Sequence, residues 1–429
     1  MKKRMLLLSL CLLMVISLSS IVGAQEFDWR QYEGESIRVF LPNILWTTRI
    51  SEQIHEFEEL TGIGVEYDVI AEGAYRTSLP VELTARSNDF DVMGSMSVVE
   101  GQMFAQAGWY EPLDPFIQDT AQTHSDWDLD DFPEGVKRAA MEVNGTTVVV
   151  PWEAQTLLFF YRKDLFEKHN LSVPTTFEEL EDVVSKLHNP DERVYGISLR
   201  GAGLQTTTPF SAMLYGMGGS WLDENRKPAL NTPEAIEAME LYARLASNYG
   251  PPGLVSNSWI QTGEIFGQGN AATLIDINIF VPTFENPETS AVAGKVGYAV
   301  VPAGPAGSQP FISGWGFAVN PFSSNKGPAW YFIQWATSKE MQKQAALTGQ
   351  PVPRISAQQH MDAPDDLREA LSISYEIAHP FMNPNVTAAS QARDIVGEAI
   401  IRAIQGESVP RLASEANTKL IELMEMTER

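Results

Sequence analysis

Strand and helix patterns alternate along the amino-terminal part of this chain, and that alternation restricts the possible fold more than any other feature. Three short segments rich in β-branched residues are typical of buried strands: 36–41, 65–70 and 91–93. Two stretches of helical periodicity, at about 50–61 and 75–85, separate them. Because strands that alternate with helices form parallel sheets, we predict an α/β fold with a mainly parallel sheet flanked by helices.

An apolar stretch at 148–166 is interrupted at its centre by a polar and aromatic segment. Trp152, Glu153 and Gln155 stand there between residues that favour two strands. Buried polar groups are costly unless they are bonded, so this segment either faces a cleft or forms a surface loop. A second strand–helix series begins after it. Since 429 residues exceed one compact core, we expect two domains.

The amino terminus has the three parts of a secretory signal peptide. Residues 2–4 are basic, 5–18 are apolar, and 22–24 are the small residues of a cleavage site. We therefore predict that 1–24 are removed and that the protein is exported to the periplasm. The single cysteine, Cys11, lies inside the signal and follows a bulky residue, so we do not expect a lipid anchor.

Charge and motif content exclude several classes of function. The formal net charge is −25, and a chain this acidic repels nucleic acid, which we exclude as a partner. The six histidines have no metal-ligand spacing, so neither a metal nor another cofactor is expected. Gly218–Ser220 is not a nucleophile elbow, because Leu222 replaces the second glycine.

Short motifs spread over the chain resemble one known family. They are FEELTGI at 57–63, AGWYEPL at 107–113, YRKDLF at 161–166, PTTFEEL at 174–180 and SGWGFAV at 313–319. In their order and spacing they are similar to the extracellular solute-binding proteins of ABC importers, the group that includes the maltose-binding proteins. Two more segments, 196–201 and 248–253, resemble a branch that takes up sugars and polyols.

The resemblance implies two lobes joined by crossing strands, with the ligand in the cleft between them. The first crossing would fall within 152–155, the second near 300–303 and the third near 349–353. One lobe would comprise 25–153 and 303–349, and the other 154–302 and 350–429. Such a protein captures a sugar or polyol by hinge closure and delivers it to an ABC permease in the inner membrane. It is not an enzyme, and we expect it to be a monomer.

The resemblance also implies which residues line the cleft. At the family's matching motifs stand Trp46, Trp152, Glu153, Gln155, Asp276 and Trp315. We add Arg200, Asn278 and Arg354, which follow predicted strand ends or the third crossing. Indole rings can cover the apolar faces of a sugar, whereas carboxylates, amides and guanidinium groups can bond to its hydroxyls.

Each of these residues also has a purely structural interpretation. The tryptophans could pack in a core, Glu153 and Asp276 could be buried acids bonded to backbone amides, and Arg200 could pair with a surface acid. A second function keeps the fold but replaces the sugar with a carboxylate-bearing or peptide-like solute, held by Arg200 and Arg354. A third is a secreted glycoside hydrolase that uses Glu153 or Asp276.

Overall fold

The structure is a computed structural model that describes residues 26–428, so the predicted signal segment lies outside the described residues. The strands are β1 (Ser36–Asn43), β2 (Gly64–Ala71), β3 (Val92–Ser95), β4 (Glu142–Val143), β5 (Thr146–Thr147), β6 (Val150–Pro151), β7 (Gln155–Arg162), β8 (Tyr195–Ser198), β9 (Ala271–Ile277), β10 (Val296–Ala299), β11 (Ile312–Ser313) and β12 (Gly316–Val319).

Helices cover both faces of the sheets. They are α1 (Leu45–Thr61), α2 (Glu72–Thr84), α3 (Ser97–Ala107), α4 (Asp114–Gln118), α5 (Glu134–Val136), α6 (Lys163–His169), α7 (Phe177–Leu187), α8 (Thr207–Gly216), α9 (Pro233–Tyr249), α10 (Trp259–Gly267), α11 (Val281–Glu285), α12 (Lys326–Ala336), α13 (Lys339–Ala346), α14 (Ile355–Gln358), α15 (Asp365–Ile377), α16 (Ala389–Ile404) and α17 (Val409–Thr427).

Local sequence signals explain where the best-defined helices begin and end. Helix α1 ends because Gly62 adopts a left-handed φ of 72° and donates its N–H to Glu58 O at 2.8 Å. Helix α7 begins with a capping box, in which the Thr176 hydroxyl accepts from Glu179 N at 3.2 Å. Both ends agree with the helix signals in the sequence.

Two sheets form the centres of two lobes. The first has the order β2-β1-β3-β12-β6, and the second has the order β10-β7-β9-β8 with β11 paired to β7. Helices α1, α2 and α12 pack on the first sheet, whereas α7 to α10 pack on the second. Strands β4 and β5 form a separate hairpin.

Both sheets are mixed: most strands of each sheet run in the same direction, as expected, and one strand is reversed. Strands β1, β2 and β3 are parallel, but β12 runs against β3 and β6. In the second sheet β8 and β9 are parallel, whereas β7 runs against β9 and β10. Strands β7 and β12 follow crossings between the lobes. Each of them begins on the side of its sheet where the neighbouring strands end. It therefore runs in the opposite direction to those strands.

Two segments pack on a different lobe from the one that we expected. The segment from 303 to 313 stays with the second sheet, because Ala303 bridges to Thr176 and β11 pairs with β7. The crossing therefore lies at Gly314 and Trp315 rather than near 303. After the third crossing, Arg354 forms an ion pair with Asp131 of the first lobe at 3.2 Å.

The three crossings run side by side and are bonded to one another. Trp152 N donates to Trp315 O at 3.2 Å, which joins the first crossing to the second. Ala154 N donates to Pro351 O at 3.0 Å, which joins the first to the third. Across residues 26–428, no helix combines the length and the apolar character that a membrane span requires.

Candidate ligand-binding cleft

A cavity of about 840 Å³ lies between the facing edges of the two sheets. Its walls include residues that directly follow strands of the first sheet: Ile44 after β1, Glu72 after β2 and Met96 after β3. From the second sheet come Arg200, after β8, and Ile277, at the end of β9. Ligands of α/β proteins bind at the carboxyl ends of the strands, and this cavity has that position.

Aromatic rings supply the apolar walls of the cavity. Trp46 at the start of α1 and Trp315 at the second crossing line it, although little of either ring reaches solvent. Trp259 of α10 lines it from the second lobe and is 38% exposed. The Trp46 Nε1 atom is buried and has no hydrogen-bond partner among residues 26–428.

Arg76 of α2 is a cleft residue that the sequence analysis missed. Its Nε donates to Glu72 at 3.0 Å and its Nη1 to Glu100 at 3.4 Å. Its guanidinium carbon lies 4.5 Å from the centroid of the Trp315 ring, within cation–π range. Burial raises the pKa of Glu100, and the charge of Arg76 opposes that rise. These contacts fix Arg76 on the wall of the first lobe.

Glu153 and Gln155 meet at the first crossing and line the cavity together. Gln155 Nε2 donates to Glu153 Oε1 at 3.1 Å, and Trp315 N donates to the same oxygen at 3.2 Å. Burial is the main cause that raises the pKa of Glu153 to about 7, and the nearby Glu72 charge adds to it. Glu153 is therefore an acceptor or a donor according to pH.

Arg200 lines the cavity from the second lobe with its charge already compensated. Its Nε donates to Asp276 Oδ2 at 2.9 Å, and its Nη2 also bonds to Asp276. Asp276 has no exposed surface and accepts further bonds from Thr262 Oγ1 at 3.2 Å and Ile277 N at 2.7 Å. Asp276 thus orients Arg200 from behind the cavity wall.

Four of the residues predicted to line the cleft are not brought to its surface: Trp152, Asp276, Asn278 and Arg354. Trp152 lies behind Trp46, with ring centroids 6.3 Å apart, and packs on Phe317 at 4.3 Å. Its polar neighbours in sequence reach the cavity because they project from the same crossing in other directions.

Asn278 and Arg354 have structural partners instead. Asn278 Oδ1 accepts from Thr156 N at 3.1 Å, and its Nδ2 donates to Tyr375 Oη at 3.3 Å. Arg354 is fully buried, pairs with Asp131, and stacks 4.2 Å from the centroid of Phe132. Both residues connect the crossings to neighbouring elements rather than to the cavity.

Arg393 of α16 is a second cleft residue that the sequence analysis missed. Its Nε donates to Thr207 Oγ1 at 3.1 Å and its Nη2 to Leu204 O at 3.2 Å. Burial, the largest cause, and the charges of Arg200 and Arg76 lower its pKa to about 10. Nothing in the local sequence marks it, because it is one of two arginines within an amphipathic helix.

Comparison with known proteins identifies the family. The chain matches the family described as bacterial extracellular solute-binding protein over residues 46–343, which is more than half of its length. The protein belongs to this family. Membership of an extracellular solute-binding family implies a location in the periplasm or outside the cell. The family and the similar proteins are binding proteins.

Relatives of this solute-binding protein have names that refer to polyols. The erythritol/L-threitol-binding protein of Mycolicibacterium smegmatis is 27% identical over 371 residues, which cover 79% of this chain and 77% of that protein. The mannitol-binding protein of Pseudomonas aeruginosa is 28% identical over 289 residues, which cover 66% of this chain and 64% of that protein.

Solved structures of similar proteins share the whole architecture. A solute-binding protein of an ABC transporter from Agrobacterium radiobacter, in complex with ribitol, superposes with a TM-score of 0.76 at 27% identity. The match covers 91% of this chain and 99% of that one. The two-lobed α/β fold predicted from the sequence is confirmed.

Proposed function

We propose that this protein is the substrate-binding component of an ABC importer and that it captures a sugar or polyol in the cleft between its lobes. The observation that carries the proposal is the composition of the cavity wall. Trp46 and Trp315 line the cavity together with the hydrogen-bonding groups of Arg76, Gln155 and Arg200. A polyhydroxylated ligand needs this combination, and the polyol-binding relatives support it.

Capture would proceed by closure of the lobes about the three adjacent crossings. A ligand that contacts Arg76 of one lobe and Arg200 of the other stabilises the closed state, because those contacts are complete only when the lobes approach. The closed protein would then deliver its ligand to a permease in the inner membrane. We propose that it acts as a periplasmic monomer, exported by the segment 1–24 and not anchored by lipid.

The residues that the sequence assigned to the two alternative functions have other partners in the structure. Arg200 and Arg354, which we expected to hold a carboxylate-bearing solute, are already paired with Asp276 and Asp131. For a glycoside hydrolase the sequence offered Glu153 or Asp276. Asp276 is fully buried beneath Arg200, and Glu153 lines the cavity with its Oε1 already bonded to Trp315 N and Gln155 Nε2. Capture without chemistry is the function that these contacts favour.

Calorimetric titration of the purified protein tests the proposal. The panel contains erythritol, ribitol, mannitol and maltose, and we expect saturable binding of at least one of them. Gln155→Ala should weaken that binding without a large change in melting temperature, because Gln155 lines the cavity and its side chain bonds, among residues 26–428, only to Glu153. Gln405→Ala, at an exposed position after α16, is the matched control. Absence of binding across the panel would contradict the proposal.

A further inference from the structure

Three arginines line the cleft, and they differ in how their charge is compensated. Arg76 bonds to Glu72 and Glu100, and Arg200 bonds to Asp276. Arg393 forms no ion pair with any residue in the range 26–428, and its guanidinium donates only to the neutral oxygens of Thr207 and Leu204. Of these three arginines, Arg393 alone therefore lacks an acidic partner within the described residues.

The position of Arg393 raises the free-energy cost of its unpaired charge. It is partly buried, and its pKa falls to about 10 because burial and the charges of Arg200 and Arg76 disfavour the cationic form. The charge of Asp394 acts in the opposite direction but does not reverse the shift. Closure of the lobes would remove more water and raise the cost further, since an unpaired charge loses its solvation.

The remaining acid of the cleft does not neutralise Arg393. Glu153 lines the cavity outside any ion pair, but burial holds its pKa at about 7, so much of it is protonated near neutral pH. Its Oε1 already accepts bonds from Trp315 N and Gln155 Nε2. Among the described residues, no carboxylate is therefore bonded to Arg393.

We propose that the ligand is a polyhydroxylated carboxylate, a sugar acid of the aldonate type, whose carboxylate pairs with Arg393. The inference rests on the proposed function, because the rest of the ligand is a polyol that contacts the indole rings and Gln155. It goes further because it gives one end of the ligand a negative charge and names Arg393 as the partner of that charge.

The geometry of Arg393 suits a carboxylate. Its bonds to Thr207 and Leu204 hold the guanidinium in one orientation before a ligand arrives. Its Nη1 atom makes no hydrogen bond within the part of the chain that the structure describes, and Nη2 keeps one further hydrogen. These two nitrogens form the fork that binds the two oxygens of a carboxylate. Neutral hydroxyls could accept the same bonds, but they would leave the charge uncompensated.

Paired titrations of alcohols and acids test the inference. Calorimetry would compare ribitol with ribonate and mannitol with mannonate on the purified protein. We expect the acids to bind at least about tenfold more tightly, because hydrogen bonds between charged partners are stronger than those to neutral groups. Arg393→Gln should abolish this preference, and Arg393→Lys should keep part of it, since lysine retains the charge but not the fork.

The control and the opposite outcomes separate this inference from the proposed function. Arg402 lies on the same helix and pairs with Glu407 and Glu415 at the surface. Arg402→Gln should therefore leave the preference for acids over alcohols unchanged. Melting temperatures identify any variant that fails to fold. Equal or tighter binding of the alcohols, or a preference that survives Arg393→Gln, would overturn the inference alone. Binding of neither class would overturn the proposed function as well.

Discussion

Glu153 shows how burial at a crossing makes the protein sensitive to pH. Its pKa in the folded protein is raised to about 7, above the ordinary value of 4.5, and Glu72 and Tyr375 are the titratable groups that interact with it. The folded state therefore holds a proton that the unfolded state has already lost. Stability should fall as pH rises through this interval, by about 3 kcal/mol in all for this single group.

Urea unfolding of the protein and of Glu153→Gln at pH 5 and pH 8 checks this prediction. Glutamine can keep the bonds to Trp315 and Gln155 but does not ionise. The variant should lose less stability between the two pH values, and it should be the more stable protein at pH 8. If both proteins respond to pH by the same amount, Glu153 titrates normally and is better solvated than its position indicates.

Trp152 packs behind the cleft, so its substitution should lower the stability of the protein more than its affinity for the ligand. The ring has no exposed surface and contacts Trp46 and Phe317. Trp152→Ala should lower the free energy of unfolding by about 3–5 kcal/mol, because it empties a large buried site. Thermal unfolding and calorimetry on the same sample measure both effects. A large loss of affinity with an unchanged melting temperature would show that Trp152 contacts the ligand.

The sequence located part of the cavity wall at the level of single residues, but not all of it. Five predicted residues do line it: Trp46, Glu153, Gln155, Arg200 and Trp315. Strand ends and crossings can be recognised in a sequence, and these residues stand close to them. Arg76 and Arg393 lie on helices, whose orientation toward the cleft depends on packing across the lobes. Asp276 near the end of β9 and Arg354 after the third crossing are polar too, but their partners are distant in sequence.

At the scale of elements, the second crossing requires a glycine beside the first. A Cβ atom on Gly314 would lie 2.4 Å from Glu153 O, so a side chain there would push the two crossings apart. Gly314→Ala should cost about 1–3 kcal/mol of stability and should weaken ligand binding, since it displaces Glu153. Chemical unfolding and calorimetry measure the two effects. Gly64→Ala is the control, because its Cβ would meet only ordinary contacts of 3.8 Å or more.

If Gly314→Ala behaves like Gly64→Ala, the two crossings can separate without cost and are not held as closely as their contacts indicate.

The sequence motif 313–319 gave no reason to place a crossing at this glycine. Residue patterns predicted the first three strands and the first two helices, including α2, which tolerates Pro80 inside it. The reversed direction of β7 and β12 was not predictable from such local patterns, because it follows from how the chain passes between lobes.

The whole molecule has a contact between its lobes besides the crossings. The segment that follows α15 in the second lobe reaches α3 of the first. There Asn383 Nδ2 donates to Val98 O at 3.2 Å, and Thr387 Oγ1 donates to Gln106 Oε1 at 2.7 Å. Bonds of this kind can exist only when the lobes are close, so they favour the closed arrangement in the same way that a bound ligand would.

Removing these two bonds should therefore shift the protein toward an open form. Each hydrogen bond contributes about 1 kcal/mol, so the double variant Asn383→Ala/Thr387→Val should change the ratio of open to closed molecules by about thirtyfold. Small-angle scattering should give a larger radius of gyration for the unliganded variant, and ribitol or ribonate should bind more weakly. Thr418→Val, which removes an exposed bond within α17, is the control. An unchanged radius of gyration together with unchanged affinity would mean that these two bonds form once the lobes have closed and do not stabilise the closed form.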